Sequence, residues 1–146
     1  FRVILDNRQL ANASGAWCVY YNFDQYLYER ELPGGGTQGW GIFGRFGAAD
    51  ADVSPTQYFW SLGIGGKGLF EARPNDGFGL GFYNSITSDE TVPAFIGLGN
   101  EWGVEAFYNV AITPWCLLTP DIQYIDGARA DSDPAWVLGF RLKLIF

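Results

Sequence analysis

The chain has 146 residues, 48% of them hydrophobic and 18% aromatic, yet its mean hydropathy is zero, so apolar residues are diluted throughout and none of its runs reaches the ~18 residues of a membrane-crossing helix. A formal net charge of −7, with nine Lys and Arg scattered singly, excludes the clustered basic face that nucleic acid requires. His is absent and the two cysteines, Cys18 and Cys116, lie far apart, which leaves no metal centre, no thiol chemistry and no cofactor motif in view.

Twenty Gly and seven Pro interrupt every window long enough for a helix, and no segment keeps apolar residues at i, i+3, i+4 and i+7 over three turns. The reading is all-β. Arg2 to Leu5 reads as the end of a strand. Gly15 to Tyr28 sets Trp17, Val19, Tyr21 and Phe23 on one face against Tyr20, Asn22, Asp24 and Tyr26 on the other. Gly39 to Ala48 opposes Trp40, Ile42 and Phe46 to Phe43 and Arg45. Thr56 to Phe70 opposes Tyr58, Trp60, Leu62 and Ile64 to Ser61, Gly63, Gly65 and Lys67. In Gly77 to Ile86 the apolar face carries Phe78, Leu80 and Phe82, while the other carries Gly77, Gly79, Gly81, Tyr83 and Ser85 and is nearly bare.

Asn100 to Thr113 alternates in the same way, with Trp102, Val104, Ala106, Tyr108, Val110 and Ile112 against Glu101, Glu105, Phe107 and Asn109. Thr113-Pro114 makes a tight turn into Trp115 to Asp126, where Cys116, Leu118, Ile122 and Tyr124 oppose Thr119, Asp121 and Gln123, and where Pro120 removes a ladder donor and predicts a local irregularity. The last strand, Ala135 to Phe146, is the clearest: Trp136, Leu138, Phe140, Leu142, Leu144 and Phe146 alternate with a set that includes Arg141 and Lys143. Twelve such residues, at about 3.3 Å each and tilted roughly 45°, rise about 28 Å, the height of an outer-membrane apolar band.

Seven full strands with a mixed, Gly-rich inner face are too few and too bare for the smallest closed barrels, whose interior is filled by side chains. The expected architecture is therefore a transmembrane antiparallel β-barrel of which residues 1–146 are the carboxy-terminal part, with further strands before Phe1. The sequence has no Met and no signal peptide, in keeping with a processed or partial chain. With the carboxy terminus in the periplasm, Arg30–Gln38, Glu71–Asp76 and Thr113-Pro114 become periplasmic turns. Ala49–Pro55, Thr87–Gly99 and Asp126–Pro134 become outer loops, and their Asp50, Asp52, Asp89, Glu90, Asp126, Asp131 and Asp133 predict an acidic outer rim. Those carboxylates read as solvated surface acid, with Ca²⁺ binding as the alternative.

Several blocks in order resemble the carbohydrate-selective porin (OprB) family. They are Ala16-Trp17, Asn22-Phe23-Asp24-Gln25-Tyr26-Leu27-Tyr28, Gly39-Trp40-Gly41-Ile42-Phe43-Gly44-Arg45-Phe46-Gly47, Gly63-Ile64-Gly65-Gly66-Lys67-Gly68-Leu69 and Arg73-Pro74. The second half adds Gly103-Val104-Glu105-Ala106-Phe107-Tyr108-Asn109, Thr113-Pro114-Trp115, Leu118-Thr119-Pro120-Asp121-Ile122-Gln123, Ile125-Asp126 and Trp136-Val137-Leu138-Gly139-Phe140-Arg141-Leu142-Lys143. The resemblance covers the chain from about Gly15 onward. It implies a sixteen-stranded, multi-pass barrel of the bacterial outer membrane, whose last seven strands lie here, and passive diffusion of sugars such as glucose. The partners it implies are outer-membrane lipid and lipopolysaccharide, small sugars and the barrel assembly machinery, with self-association left open. Cys18, Cys116 and the length of Arg30–Gln38 depart from the family's pattern.

By strand parity the pore-lining candidates are Tyr20, Asn22, Asp24, Tyr26, Phe43, Arg45, Lys67, Tyr83, Glu105, Phe107, Asn109, Asp121, Gln123, Arg141 and Lys143. Sugars need donors, acceptors and aromatic faces for their C–H surfaces. The alternative role for the polar members is to pair across strands and keep a wet wall satisfied. Arg45, Glu105, Asp24 and Lys67 are the candidates for direct solute contact. The outward Trp and Tyr near strand ends read as interfacial girdles. Gly63 to Gly68 lacks the GxxxxGK[ST] pattern of a phosphate loop. Glu101 and Glu105, four residues apart on a strand and so about 13 Å, are too distant for paired glycosidase carboxylates. No catalytic residue is assigned. A general porin without sugar preference and an outer-membrane barrel enzyme remain the rivals.

Overall fold

The structure, a computed structural model, describes residues 15–32, 36–90, 97–129 and 131–145. Seven strands follow one another: β1 (Cys18–Glu31), β2 (Thr37–Ala49), β3 (Thr56–Lys67), β4 (Gly77–Thr87), β5 (Glu101–Thr113), β6 (Cys116–Asp126) and β7 (Ala135–Leu144). Each pairs antiparallel with the next in a single sheet of order β1-β2-β3-β4-β5-β6-β7, so β1 and β7 are its edges. The strand expected at Arg2 to Leu5 and the terminal Phe146 lie outside the described residues.

Local chemistry accounts for most of the boundaries. Pairing continues through Glu31↔Thr37, so the connection expected over Arg30–Gln38 contracts to residues 32–36, closed by a bond from Leu32 N to Gly36 O (2.9 Å), with Gly36 at φ 101°. β3 stops at Lys67 rather than running to Phe70, because Gly68 takes φ 71° and turns the chain. A bulge between Tyr26 and Tyr28 lets Tyr28 face Trp40, which carries it to the face opposite Tyr26. Opposite Pro120 the β5–β6 ladder is interrupted between Phe107↔Asp121 and Val110↔Leu118 without a change of register, the irregularity expected of a missing donor. The hydroxyl of Thr119 bridges that gap to Asn109 Oδ1 at 3.2 Å.

Among the described residues no hydrophobic side chain is buried, and Leu138 and Phe140 are 72% and 78% exposed. A water-soluble fold of this composition would hide them. Instead the apolar side chains line one face in rows: Ile42, Ile64, Leu80, Ala106, Ile122 and Leu138 stand opposite one another across six strands. At the end of the sheet that carries the longer loops, rings meet in succession from Trp60 to Phe82 (4.9 Å), Trp102 (6.0 Å), Tyr124 (5.5 Å) and Trp136 (4.9 Å). Near the other end stand Tyr28, Trp40, Phe78 and Tyr108. An apolar middle between two aromatic bands is the surface of a strand sheet solvated by lipid, so the bilayer takes the place of a core.

Both ends are tied. At the turn end, Asp76 is 2% exposed, and its carboxylate accepts from Arg73 Nε (2.7 Å) and Nη2 (3.0 Å), from the Tyr108 hydroxyl (2.9 Å) and from Ala111 N (2.9 Å). That single carboxylate locks the β3–β4 turn to β5. At the loop end, the fully buried Ser88 donates to Ala51 O through its hydroxyl (2.6 Å) and to Pro55 O through its N–H (3.0 Å). Gly99 N donates to Ala128 O at 2.6 Å, and Leu98 bridges Arg129. The three loops are therefore joined into one rim.

Candidate functional site

The face opposite the apolar one carries the chemistry. Its register gives four rows, read from the loop end toward the turn end. Asn22, Arg45, Ser61, Tyr83 and Gly103 form the first, and Asp24, Phe43, Gly63, Gly81, Glu105 and Gln123 the second. Tyr26, Gly41, Gly65, Gly79, Phe107, Asp121 and Gly139 form the third, and Gly39, Lys67, Gly77 and Asn109 the fourth. Tyr20 lies above them, opposite Gly47, and Arg141 and Lys143 lie below on β7, opposite Thr119 and Leu117. All the residues proposed from parity thus share this one face.

The polar members divide into paired and free. Arg45 Nε donates to Asn22 Oδ1 (2.8 Å) across β1 and β2, Gln123 Nε2 donates to Asp121 Oδ1 (3.1 Å) along β6, and Asn109 accepts from Thr119. Tyr83 donates to Glu101 Oε1 at 2.7 Å. These are the wall-satisfying pairs that the alternative role called for. Asp24, Lys67, Glu105, Arg141 and Lys143 make no hydrogen bond or ion pair among the described residues, and all are exposed. Charges of both signs thus stand in solvent, and Arg45 spends one of its five donors on Asn22.

The glycines are not bare. A Cβ placed on Gly63 or Gly79 would strike the ring of Phe43 or Phe107, one on Gly103 would come within 2.6 Å of Tyr83 Cε1, and one on Gly139 would meet the carboxylate of Asp121. Phe43, Phe107, Tyr83 and Asp121 therefore each lie against the glycine of an adjacent strand. The strand read as leaving the wall open is instead roofed at Gly79 and open at Gly81, where an added Cβ would have Leu62 O at 3.9 Å as its nearest neighbour. Sequence reasoning saw the glycines and the rings, but the cross-strand register that pairs them is a property of the folded sheet. It also missed Arg73 and Asp76 as a linked pair. The Arg73-Pro74 block was legible, but the partners on β5 lie more than thirty residues away in sequence.

The sequence profile described as carbohydrate-selective porin, OprB family, matches residues 3–146. The chain belongs to that family. It is 26% identical over 133 residues to Porin B of Pseudomonas aeruginosa, an alignment covering 77% of this chain and 29% of that protein. Its fold is shared with the high-pH structure of Pseudomonas putida OprB, at a TM-score of 0.67 and 24% identity over 73% of this chain and 30% of that one. The chain thus spans about 30% of the length of the proteins it matches. The two-faced sheet is part of an outer-membrane porin barrel, and its family points to a channel rather than to an enzyme.

Proposed function

We propose that residues 1–146 form one continuous part of a single barrel domain through which small sugars pass by passive, selective diffusion. The glycine-rich mixed face lines the lumen, and the carboxy terminus and the short turns lie on the periplasmic side. The observation that carries this reading is the combination, on one face, of flat aromatic rings with unpartnered charges of both signs. A sugar ring presents C–H surfaces to such rings and hydroxyls to such charges. The apolar face with its two aromatic bands contacts lipid, and the joined loops form part of the outer rim.

In the full polypeptide that carries these residues, reconstituted in liposomes, swelling with sugars is expected to outpace swelling with amino acids of similar size. Equal rates would mark a general porin instead. Replacing Arg45, Lys67, Asp24 and Glu105 together by alanine removes two positive and two negative charges, so net lumen charge is unchanged. Sugar flux and the sugar-induced block of single-channel current are expected to fall while conductance in salt stays near its original value. Unchanged flux and block would refute the assignment of these four.

The seating of rings on glycines sets lumen width. A methyl group at Gly79 has the Phe107 ring as its nearest neighbours, so Gly79→Ala is expected to lift that ring off the wall and lower single-channel conductance. Adding Phe107→Ala in the same barrel should restore it to the level of Phe107→Ala alone. A conductance unmoved by Gly79→Ala would show that the ring can shift along the wall at no cost to the lumen.

A further inference from the structure

The open glycine, Gly81, lines a concavity of about 270 Å³ together with Phe43, Ser61, Tyr83, Glu105 and Phe107. Resting on the sugar-channel reading above, we infer that this concavity is a discrete binding subsite for one neutral sugar ring, with Gly81 as its floor. Its size lies near the lower end of small-molecule sites, which begin at ~300 Å³, so it suits a monosaccharide rather than a chain.

The lining explains both the occupant and the need for glycine. Phe43 and Phe107 are seated on Gly63 and Gly79, and Tyr83 on Gly103, so three rings are fixed around a floor that no side chain covers. Tyr83 is further held by its bond to Glu101. Fixed rings lose little conformational freedom when a ligand packs on them. Directly opposite Gly81 on β5 stands Glu105, exposed and without a partner among the described residues, with acceptor sites for sugar hydroxyls. The Ser61 hydroxyl, opposite Tyr83 on β3, is likewise unengaged among the described residues and can both donate and accept. An anion would meet the Glu105 carboxylate, whereas a neutral polyol meets acceptors and π faces together.

The test uses a matched pair. Gly81→Leu fills the concavity, and Gly47→Leu adds the same group to the same face nearer the loop end; in both, the new Cβ has only a carbonyl oxygen at 3.9 Å as its nearest neighbour, so the backbone admits each side chain. In single-channel recordings of the full barrel, Gly81→Leu is expected to raise the glucose concentration for half-maximal block roughly tenfold, while Gly47→Leu leaves it within about twofold. Equal shifts in the two variants, or none in Gly81→Leu, would overturn the subsite and leave the channel reading intact. Absence of any sugar block or selective sugar flux in the parent barrel would overturn the channel reading itself.

Discussion

Replacing Asp76 by alanine is expected to lower the unfolding free energy of the barrel by roughly 2 kcal/mol, the scale for leaving donors at a buried site without their acceptor. The carboxylate is buried and is the common acceptor for Arg73, the Tyr108 hydroxyl and Ala111 N, so its loss leaves the last two without their acceptor, while Arg73, 44% exposed, keeps solvent and Ala111 O. Urea unfolding from lipid vesicles, followed by tryptophan fluorescence, reads the change. Asp131→Ala is the control, since its pairing with Arg129 joins side chains 76% and 72% exposed; that change should stay within about 0.5 kcal/mol. The same clamp gives a pH dependence. The Arg73 hydrogen bonds hold the Asp76 carboxyl below its ordinary value of 3.8, against the opposing effect of burial. A depressed carboxyl contributes stability that is complete above the ordinary value and is lost as pH falls through the lowered one. The parent barrel should therefore lose stability below about pH 4 more steeply than Asp76→Ala does. Parallel pH curves would show that the clamp does not operate in the folded barrel.

Alternation of period two was enough to place the seven described strands and to assign every candidate residue to its face, because a β-strand leaves a side chain only two directions. Tyr28 shows where that rule stops: the bulge after Tyr26 inverts parity from Tyr28 to the end of β1, and nothing in Tyr26-Leu27-Tyr28 announces it. The turn after β1 shows another limit. Arg30 and Gln38 are polar and flank Pro33-Gly34-Gly35-Gly36, so composition alone reads them as loop. In the sheet they are paired, and Arg30 Nη2 donates to Gln38 Oε1 at 2.6 Å. The candidate site was legible as a list but not as an arrangement. Which charges stand free, and which ring rests on which glycine, depends on cross-strand neighbours that only the register supplies. The resemblance to known porins carried the family and the barrel, while the seats at Gly63, Gly79 and Gly103 and the opening at Gly81 came from the geometry.

The face assignment itself has a sharp test in two adjacent residues of β6. Ile122 stands in the middle apolar row between Ala106 and Leu138, halfway between the aromatic bands, whereas Gln123 stands on the opposite face between Glu105 and Val137 and bonds to Asp121. An arginine at position 122 must place its guanidinium near the bilayer midplane, where a charge on a barrel's lipid face costs ~2–4 kcal/mol. An arginine at position 123 enters water beside two carboxylates, those of Glu105 and Asp121, and trades one hydrogen bond for charge attraction. Ile122→Arg is thus expected to lose ~2–4 kcal/mol in urea unfolding from vesicles, and Gln123→Arg less than about 1 kcal/mol. A slip of one residue in the register would exchange every side chain between the faces, and the two variants would then swap their costs. Because the introduced residue is the same and the positions are consecutive, the arginine's own propensity and entropy largely cancel, and most of the difference between the two measures lipid against water.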